Sequence, residues 1–141
     1  MEKLDILEWS DIFSIGNEKI DKDHHYIIDI YNELNFISTT KYNPEKFAEV
    51  LSKMTDYSIY HFKREEEYMQ KISYPQIKEH HKYHLQYILK VSQYNSDFLT
   101  ENTPVPEEIA RFLEKWWKFH IQDIDTQYEK FKFDNGFIVE Y

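Results

Sequence analysis

The chain has 141 residues, a formal net charge of −9 and no cysteine. The absence of cysteine excludes a disulfide framework and a thiolate metal site, and the negative charge argues against nucleic acid and anionic membranes as partners. Glycine and proline are scarce and aromatic residues abundant, which favours one domain, residues 1–141, built from long helices. We expect a cytoplasmic protein, because the sequence has no transmembrane-length apolar run and its start lacks the regions of a signal peptide.

Apolar residues recur at three- and four-residue steps in four stretches after an N-terminal arm, residues 1–17, that lacks this periodicity. The pattern predicts helices over about residues 18–38, 44–72, 75–100 and 106–132. Proline marks each break between them. Four long helices joined by short connections predict an all-α fold, an antiparallel up-down-up-down four-helix bundle.

The first helix carries adjacent histidines, and only one lies on its apolar stripe. His24 falls between Ile20 and Ile27, whereas His25 shares the polar face with Asp29. Helical spacing therefore predicts that His24 points into the bundle and His25 into solvent.

The second helix places two polar residues on its apolar stripe. His61 and Glu65 stand four residues apart, so they lie on the same side, whereas Glu66 and Glu67 lie off the stripe. A buried carboxylate needs a partner.

The third helix contains the segment KEHHKYH, with three histidines in five positions. His84 lies near the centre of the apolar stripe, and His80 and His81 fall about equally far to either side of it. A pair spaced i,i+4 or i,i+3 could chelate one metal. Spacing alone does not decide whether His80 or His81 points inward together with His84.

The fourth helix carries His120 one turn after Trp116, and two acidic residues follow it. On a straight α-helix Asp123 stays on the face of His120, whereas Asp125 is turned about 140° away. Helical geometry alone therefore favours Asp123 as the inward carboxylate.

Every predicted helix thus offers an inward histidine. A single one would be an ordinary hydrogen-bonded core residue, but burying several imidazoles and a carboxylate without partners costs several kcal/mol each. The joint pattern predicts a metal site inside the bundle, where facing helices commonly build such sites.

Four motifs, one in each predicted helix, resemble those of the hemerythrin family, specifically its single-domain bacterial members. WSDIFSIGNEKIDKDHH resembles the family's Trp, small-Gly and I-D-x-Q-H pattern, and HFKREE resembles H-F-x-x-E-E. YPQIKEHHKYH resembles Y-P-x-x-x-x-H-x-x-x-H, and WWKFHIQDIDTQY resembles W-L-x-x-H-I-x-x-x-D-x-x-Y. The resemblance covers about residues 9–131 and assigns the ligand positions to His24, His61, Glu65, His80, His84, His120 and Asp125.

The register of these motifs chooses His80 over His81, and Asp125 over Asp123. The choice of Asp125 conflicts with a straight α-helix. We therefore predict a local π-bulge between His120 and Asp125, of a kind found at functional sites.

The resemblance implies a centre of two non-haem iron ions, bridged by Glu65, Asp125 and a solvent-derived oxo or hydroxo group. It gives His80, His84 and His120 to one iron, and gives His24 and His61 to the other, which keeps an open position for dioxygen. Apolar residues near that position are predicted to exclude water and proton donors. These are Ile27, Phe62, Trp116, Trp117 and Ile121.

The resemblance implies a protein that binds dioxygen reversibly, for carriage, storage or delivery. The alternatives are a di-iron oxidase, a peroxidase or a nitric-oxide-handling enzyme, an oxygen or redox sensor on the same scaffold, and a structural zinc site. Ferritin-like di-iron enzymes use more glutamates and fewer histidines, so the ligand balance favours binding over catalysis. Zinc prefers four closed ligands, fewer than converge here.

Two residues depart from the family pattern. Asp23 stands where the family has Gln before the first histidine, and Trp117 stands where it has Leu after the helix-four Trp. That Leu lies beside the ligand pocket, so Trp117 would change access to it. Alternatively, Trp117 points outward or into a helix interface.

Overall fold

A computed structural model of the chain describes residues 14–39, 43–98, 100 and 104–136, and the part described is helical without a strand. The elements are α1 (Glu18–Thr39), α2 (Pro44–Lys71), α3 (Ile77–Asp97), α4 (Pro106–Phe119), a π-helical segment (His120–Asp125) and α5 (Thr126–Asp134). The last three follow each other without a break and form the fourth helix. The all-α prediction is confirmed. Residues 1–13 of the predicted arm lie outside the described residues.

Neighbouring helices run antiparallel, as the side-chain contacts between them show. Between α2 and α3, Ser58 meets Tyr87 and the earlier Ser52 meets the later Asn95. Between α1 and the fourth helix, the early Asn17 donates to the late Glu129 at 3.1 Å, and the later Tyr31 donates to the earlier Glu114 at 3.4 Å. Between α1 and α2, Asp23 contacts His61 and the later Tyr26 lies under the earlier Lys53. The up-down-up-down order follows from these pairings.

Local signals explain where the helices begin. The Asn43 side chain accepts from the backbone N–H of Lys46 at 3.1 Å and caps α2, whose first residue is Pro44. Asn17 likewise accepts from the backbone N–H of Ile20 at 3.2 Å at the start of α1. The side chain of Asp21 accepts from the N–H of Ile15 at 2.8 Å, which holds the preceding segment against the helix.

The predicted limits of the third helix were wrong by a few residues. It begins at Ile77 rather than at residue 75, and ends at Asp97 rather than at residue 100. Ser73 adopts a left-handed conformation with φ of 55°, and the N–H of Tyr74 bonds to the carbonyl of Met69 at 2.9 Å. This turn occupies the residues that periodicity alone assigned to the helix.

The predicted apolar stripes of α1 and α2 form the core of the bundle. Their buried apolar members are Ile20, Ile27, Ile28, Tyr31, Leu34, Phe47, Val50, Leu51, Met54, Tyr68, Met69 and Ile72. In α3, helical spacing places Ile77 and Ile88 on the apolar stripe, but both are only partly buried, whereas Tyr87 and Tyr94 are buried. Among the helices described, none combines the length and the apolar character needed to cross a bilayer.

Candidate metal centre

Seven buried polar side chains converge in the middle of the bundle, and each of the four helices supplies at least one of them. They are His24, His61, Glu65, His80, His84, His120 and Asp125. Their donor atoms form two groups, and within each group these atoms lie within 4.8 Å of one another. All seven residues singled out by sequence are therefore brought together.

The first group, called here the three-histidine group, unites α3 with the fourth helix and α2. The Nε2 atoms of His80 and His84 each lie 3.1 Å from Nε2 of His120. Asp125 Oδ1 lies 2.9 Å from Nε2 of His120, and Glu65 Oε1 lies 3.2 Å from Nε2 of His84. Three ring nitrogens and two carboxylate oxygens thus face one small volume.

The second group, called here the two-histidine group, joins α1 and α2 to the same two carboxylates. His24 Nε2 lies 2.9 Å from Asp125 Oδ2, and His61 Nε2 lies 3.3 Å from Glu65 Oε1. The two imidazole rings meet edge to face at 4.9 Å. Because Asp125 gives one oxygen to each group, its carboxylate spans them.

The π-helical segment brings Asp125 into the site. It covers the six residues HIQDID, from His120 to Asp125, and its i→i+5 pattern widens the turn. Both side chains therefore point the same way, with 2.9 Å between His120 Nε2 and Asp125 Oδ1, while Asp123 is exposed. The predicted π-bulge is confirmed, and the straight-helix preference for Asp123 was wrong.

The two histidine doublets separate into buried and exposed members. His24 and His80 are 0% and 3% exposed, whereas the side chains of His25 and His81 are 52% and 47% exposed. His25 lies near Asp29, and His81 contacts Glu66. Of each pair, only one imidazole reaches the cluster.

Several buried polar atoms of the cluster have no hydrogen-bond partner among the described residues. They are both nitrogens of His24, Nε2 of His61, Oε1 of Glu65, Nδ1 of His120 and both oxygens of Asp125. Buried polar groups are nearly always paired, and imidazole with carboxylate suits iron. The residues therefore fit two metal ions, because the inward-facing atoms need partners that the described part of the chain does not provide.

Two carboxylates outside the cluster hold histidines within it. Asp23 Oδ2 accepts from Nδ1 of His61 at 3.0 Å, and Glu66 Oε2 accepts from Nδ1 of His84 at 2.9 Å. Each bond places the ring proton on Nδ1, which leaves Nε2 as the atom that faces the cluster.

Glu65, one of the two carboxylates that both groups share, is also held by a hydrogen bond. The hydroxyl of Tyr128 donates to Oε2 of Glu65 at 2.7 Å. Sequence reasoning gave no role to Tyr128, Asp23 or Glu66. Tyr128 is the final Tyr of the fourth motif, and Asp23 is a departure from the first, but neither motif identified a hydrogen-bond partner for them.

Burial and neighbouring charges shift the pKa of several ionisable groups in the cluster. Burial opposes ionisation of Glu65 and Asp125, but the neighbouring histidines outweigh it and hold the pKa of both carboxyls below the ordinary range. Burial also opposes protonation of His61, yet the charge of Glu65 and the bond to Asp23 raise its pKa to about 10. For His120 burial prevails and lowers the pKa to about 4.

Aromatic residues enclose the cluster unevenly. Phe62 stacks on His84 with ring centroids 3.9 Å apart, and Trp116, only half-buried, stacks on His120 at 4.2 Å. Trp117 is 1% exposed, and its ring centroid lies 6.2 Å from that of His61 and 6.5 Å from that of His24. The outward alternative for Trp117 was therefore wrong.

The remaining predicted pocket residues, Ile27 and Ile121, are both 0% exposed in the same core. The indole N–H of Trp117 donates to the hydroxyl of Tyr87 at 3.2 Å, and that hydroxyl pairs with Ser58 at 3.0 Å. These bonds fix the indole beside the two-histidine group.

Comparison with known proteins agrees with this geometry. The family model described as the hemerythrin HHE cation binding domain matches residues 15–131. Bacteriohemerythrin of Stenotrophomonas maltophilia is 31% identical over 123 residues, which cover 87% of this chain and 79% of that protein. Bacteriohemerythrin of Clostridium acetobutylicum is 29% identical over 126 residues, covering 85% and 96%. A crystal structure of wild-type hemerythrin superposes with a TM-score of 0.84 at 26% identity, covering 89% and 97%.

Proposed function

This chain belongs to the hemerythrin family, and from that premise we propose that it binds dioxygen reversibly at a non-haem di-iron centre. One observation carries the proposal: two groups of buried nitrogen and oxygen donors share Glu65 and Asp125. Two mononuclear sites would have no reason to share both carboxylates, whereas a dinuclear centre needs groups that bridge.

The proposal gives each residue of the cluster a role as a metal ligand. His80, His84 and His120 would hold one iron, and His24 and His61 the other. Glu65 and Asp125 would bridge the two, since Asp125 already presents one oxygen to each group. The two-histidine group has one donor fewer, so its iron would keep the position at which dioxygen binds.

When bound, two ferrous ions supply the two electrons that dioxygen takes up and returns on release. The protein's part is to keep that exchange reversible by excluding water and stray protons. Trp117, Phe62, Ile27 and Ile121 are all at most 2% exposed, and we propose that they keep water away from the two-histidine group. We assign the open position to their vicinity.

The polar supports fix the histidines that this chemistry needs. Asp23 and Glu66 orient His61 and His84, so that Nε2 of each ring points inward. Tyr128 occupies the second oxygen of Glu65 and limits how that carboxylate can rotate. Rigid ligands favour binding without turnover, and we propose carriage, storage or delivery of oxygen rather than an enzymatic role.

An optical experiment tests the proposal. Iron-loaded protein, reduced under nitrogen, is exposed to air and then returned to nitrogen while its spectrum is recorded. We expect a ligand-to-iron charge-transfer band that appears with air and disappears without it over repeated cycles. Immediate conversion to a stable oxidised spectrum, with hydrogen peroxide released, would overturn reversible binding and indicate an oxidase. We further propose that the protein acts in the cytoplasm, which cell fractionation would test.

A further inference from the structure

Asp23, one of the two departures of this chain from the family pattern, lies directly behind the metal cluster. The pattern has a neutral glutamine before the first ligand histidine, whereas this chain has an acidic residue there. The Asp23 side chain is only 6% exposed, and its Oδ2 accepts from Nδ1 of His61 at 3.0 Å. A histidine of the two-histidine group therefore donates to a nearly buried carboxylate rather than to a neutral amide.

The acceptor behind a metal-bound imidazole affects the metal as well as the ring. A carboxylate on Nδ1 makes the metal-facing Nε2 a more basic donor. Hydrogen bonds of this kind are one of the means by which a protein sets the reduction potential of an iron site. Because a stronger donor gives more electron density to iron, it favours iron(III) over iron(II).

The two-histidine group receives this influence through His61 alone. Nδ1 of His24, its other histidine, has no hydrogen-bond partner in the part of the chain that the structure describes. In the three-histidine group, Glu66 is the carboxylate behind His84, and it is the second glutamate of the motif HFKREE. Asp23 thus gives the two-histidine group an anionic acceptor at a position where the family pattern has a neutral residue.

Two other groups hold the opposite oxygen of the same carboxylate. Oδ1 of Asp23 accepts from the Tyr57 hydroxyl at 2.9 Å and from Nη1 of Arg64 at 3.3 Å. The Arg64 side chain is 28% exposed, so solvent screens its charge only in part. Both donors draw negative charge toward Oδ1 and away from the oxygen that faces His61.

We propose that Asp23 is a positioning residue that acts through His61 to lower the reduction potential of iron in the two-histidine group, and that Arg64 and Tyr57 limit this effect. The inference rests on the proposed function, since it requires iron in the cluster. Dioxygen takes up electrons from iron when it binds, so a lower potential favours the oxygen-bound form. The charge of Asp23 would therefore make this chain hold oxygen more tightly than the same chain with glutamine at this position.

Redox titration of the iron-loaded protein under nitrogen tests the role of Asp23. Dithionite supplies the electrons through dye mediators, each iron(III) takes up one electron, and the absorption of the oxidised centre follows the titration. Asp23→Asn and Asp23→Gln keep an oxygen that can accept from His61 but remove the charge. We expect the ratio of reduced to oxidised iron at a fixed potential to rise about tenfold, which is about 59 mV for a one-electron couple.

Iron content separates this electronic effect from simple support of the ring. Both amide variants should load as much iron as the parent protein, because the bond to His61 is retained. A potential that is unchanged or lower in both variants would overturn the inference.

Removal of Arg64 should move the potential in the opposite direction. Arg64→Gln leaves the charge of Asp23 less compensated, so the same ratio should fall by about two- to threefold. Lys63→Gln and Asp29→Asn are the matched controls, since they remove one exposed charge of each sign from α2 and α1, and they should leave the potential unchanged. Shifts of the same sign in the Asp23 and Arg64 variants, or equal shifts in the controls, would overturn the inference.

The inference and the proposed function fail in different ways. A parent protein that binds no iron would overturn both. Reversible cycling with air, combined with equal potentials in the parent protein and Asp23→Asn, would overturn the inference alone. Opposite shifts in the Asp23 and Arg64 variants of a protein that releases hydrogen peroxide would support the inference and overturn reversible binding.

Discussion

The two halves of the metal cluster use the same kind of support in different surroundings. In the two-histidine group, His61 is held by Asp23, which is nearly buried and has three partners: His61, Tyr57 and Arg64. In the three-histidine group, His84 is held by Glu66, whose side chain is 25% exposed.

The enclosing aromatic residues repeat this contrast. Trp117 is buried beside the two-histidine group, whereas the half-buried Trp116 stacks on His120 of the other. The half with fewer ligands thus has the more enclosed support. We infer that the three-histidine group depends on its number of ligands, and the two-histidine group on the rigidity of its surroundings.

The largest effect is expected from removing a ligand of the three-histidine group. His84→Ala should lose most iron, with affinity reduced more than about 100-fold, because even partners outside the ligand set are worth about 10–100-fold. His81→Ala is the matched control and should keep its iron, since that side chain is exposed and outside the cluster. Iron per chain, measured after gel filtration with a chelator, checks the pair. Equal iron loss would break the assignment of His84 over His81.

A smaller difference should separate the two supporting carboxylates. Asp23→Ala should weaken metal retention about 10–100-fold, because it leaves His61, Tyr57 and Arg64 without a shared acceptor. Glu66→Ala should weaken metal retention only by about tenfold, the lower limit of that range, because water can replace a partly exposed carboxylate. Chelator competition would measure both. A larger loss in Glu66→Ala would reverse the contrast between the halves.

The enclosure by Trp117 should limit which ligands enter. Trp117→Leu should make azide bind to the iron-loaded protein about tenfold more tightly, and should lower the free energy of unfolding by about 3 kcal/mol through the cavity it leaves. Trp116→Leu is the control, because that ring stacks on the three-histidine side. Azide titration and denaturant unfolding measure the two quantities. An equal gain in azide affinity in both variants would show that ligand access does not differ between the two histidine groups.

The smallest effect concerns Tyr87, which holds the indole of Trp117. Burial raises the pKa of the Tyr87 hydroxyl to about 12, against the bonds from Ser58 and Trp117 that lower it. Between pH 10 and about 12 the unfolded chain loses this proton while the folded protein keeps it. The free energy of unfolding should therefore fall as pH rises, by up to about 1.4 kcal/mol per pH unit.

Tyr87→Phe removes that titration and should make the alkaline fall less steep, while other buried tyrosines with raised pKa values, such as Tyr128, still contribute to it. At pH 7 the same variant should be about 1–2 kcal/mol less stable, because Ser58 and Trp117 lose a buried partner. Urea unfolding at pH 7, 10 and 11 gives both numbers. Parallel curves for the variant and the parent protein would show that Tyr87 does not titrate as described.

The sequence predicted the bundle and much of the cluster because both follow from helical periodicity. The spacing in α1 distinguished His24 from His25 without other help. His80 and His81 stand symmetrically about the stripe of α3, so only the resemblance chose between them. Their separation in the structure depends on the rotation of α3 against its neighbours, which no single-helix pattern contains.

Contacts between helices account for what the sequence did not predict. Glu66 lies off the stripe of α2 and still reaches Nδ1 of His84 on α3, because a long side chain can cross the helix interface. Periodicity favoured Trp116 as the core indole, but Trp117 is the buried one.

The π-helical segment has a consequence for every residue after it. A π-helical turn holds one residue more than the α-helical turn it replaces, so it accommodates an extra residue without turning the helix that follows. If the same residues formed a regular α-helix, all later side chains would be rotated by about 100° around the helix axis. Tyr128 would leave Glu65, and Glu129 would leave Asn17 and Tyr68, with which it now bonds. The orientation of every side chain in α5 thus depends on this one wide turn.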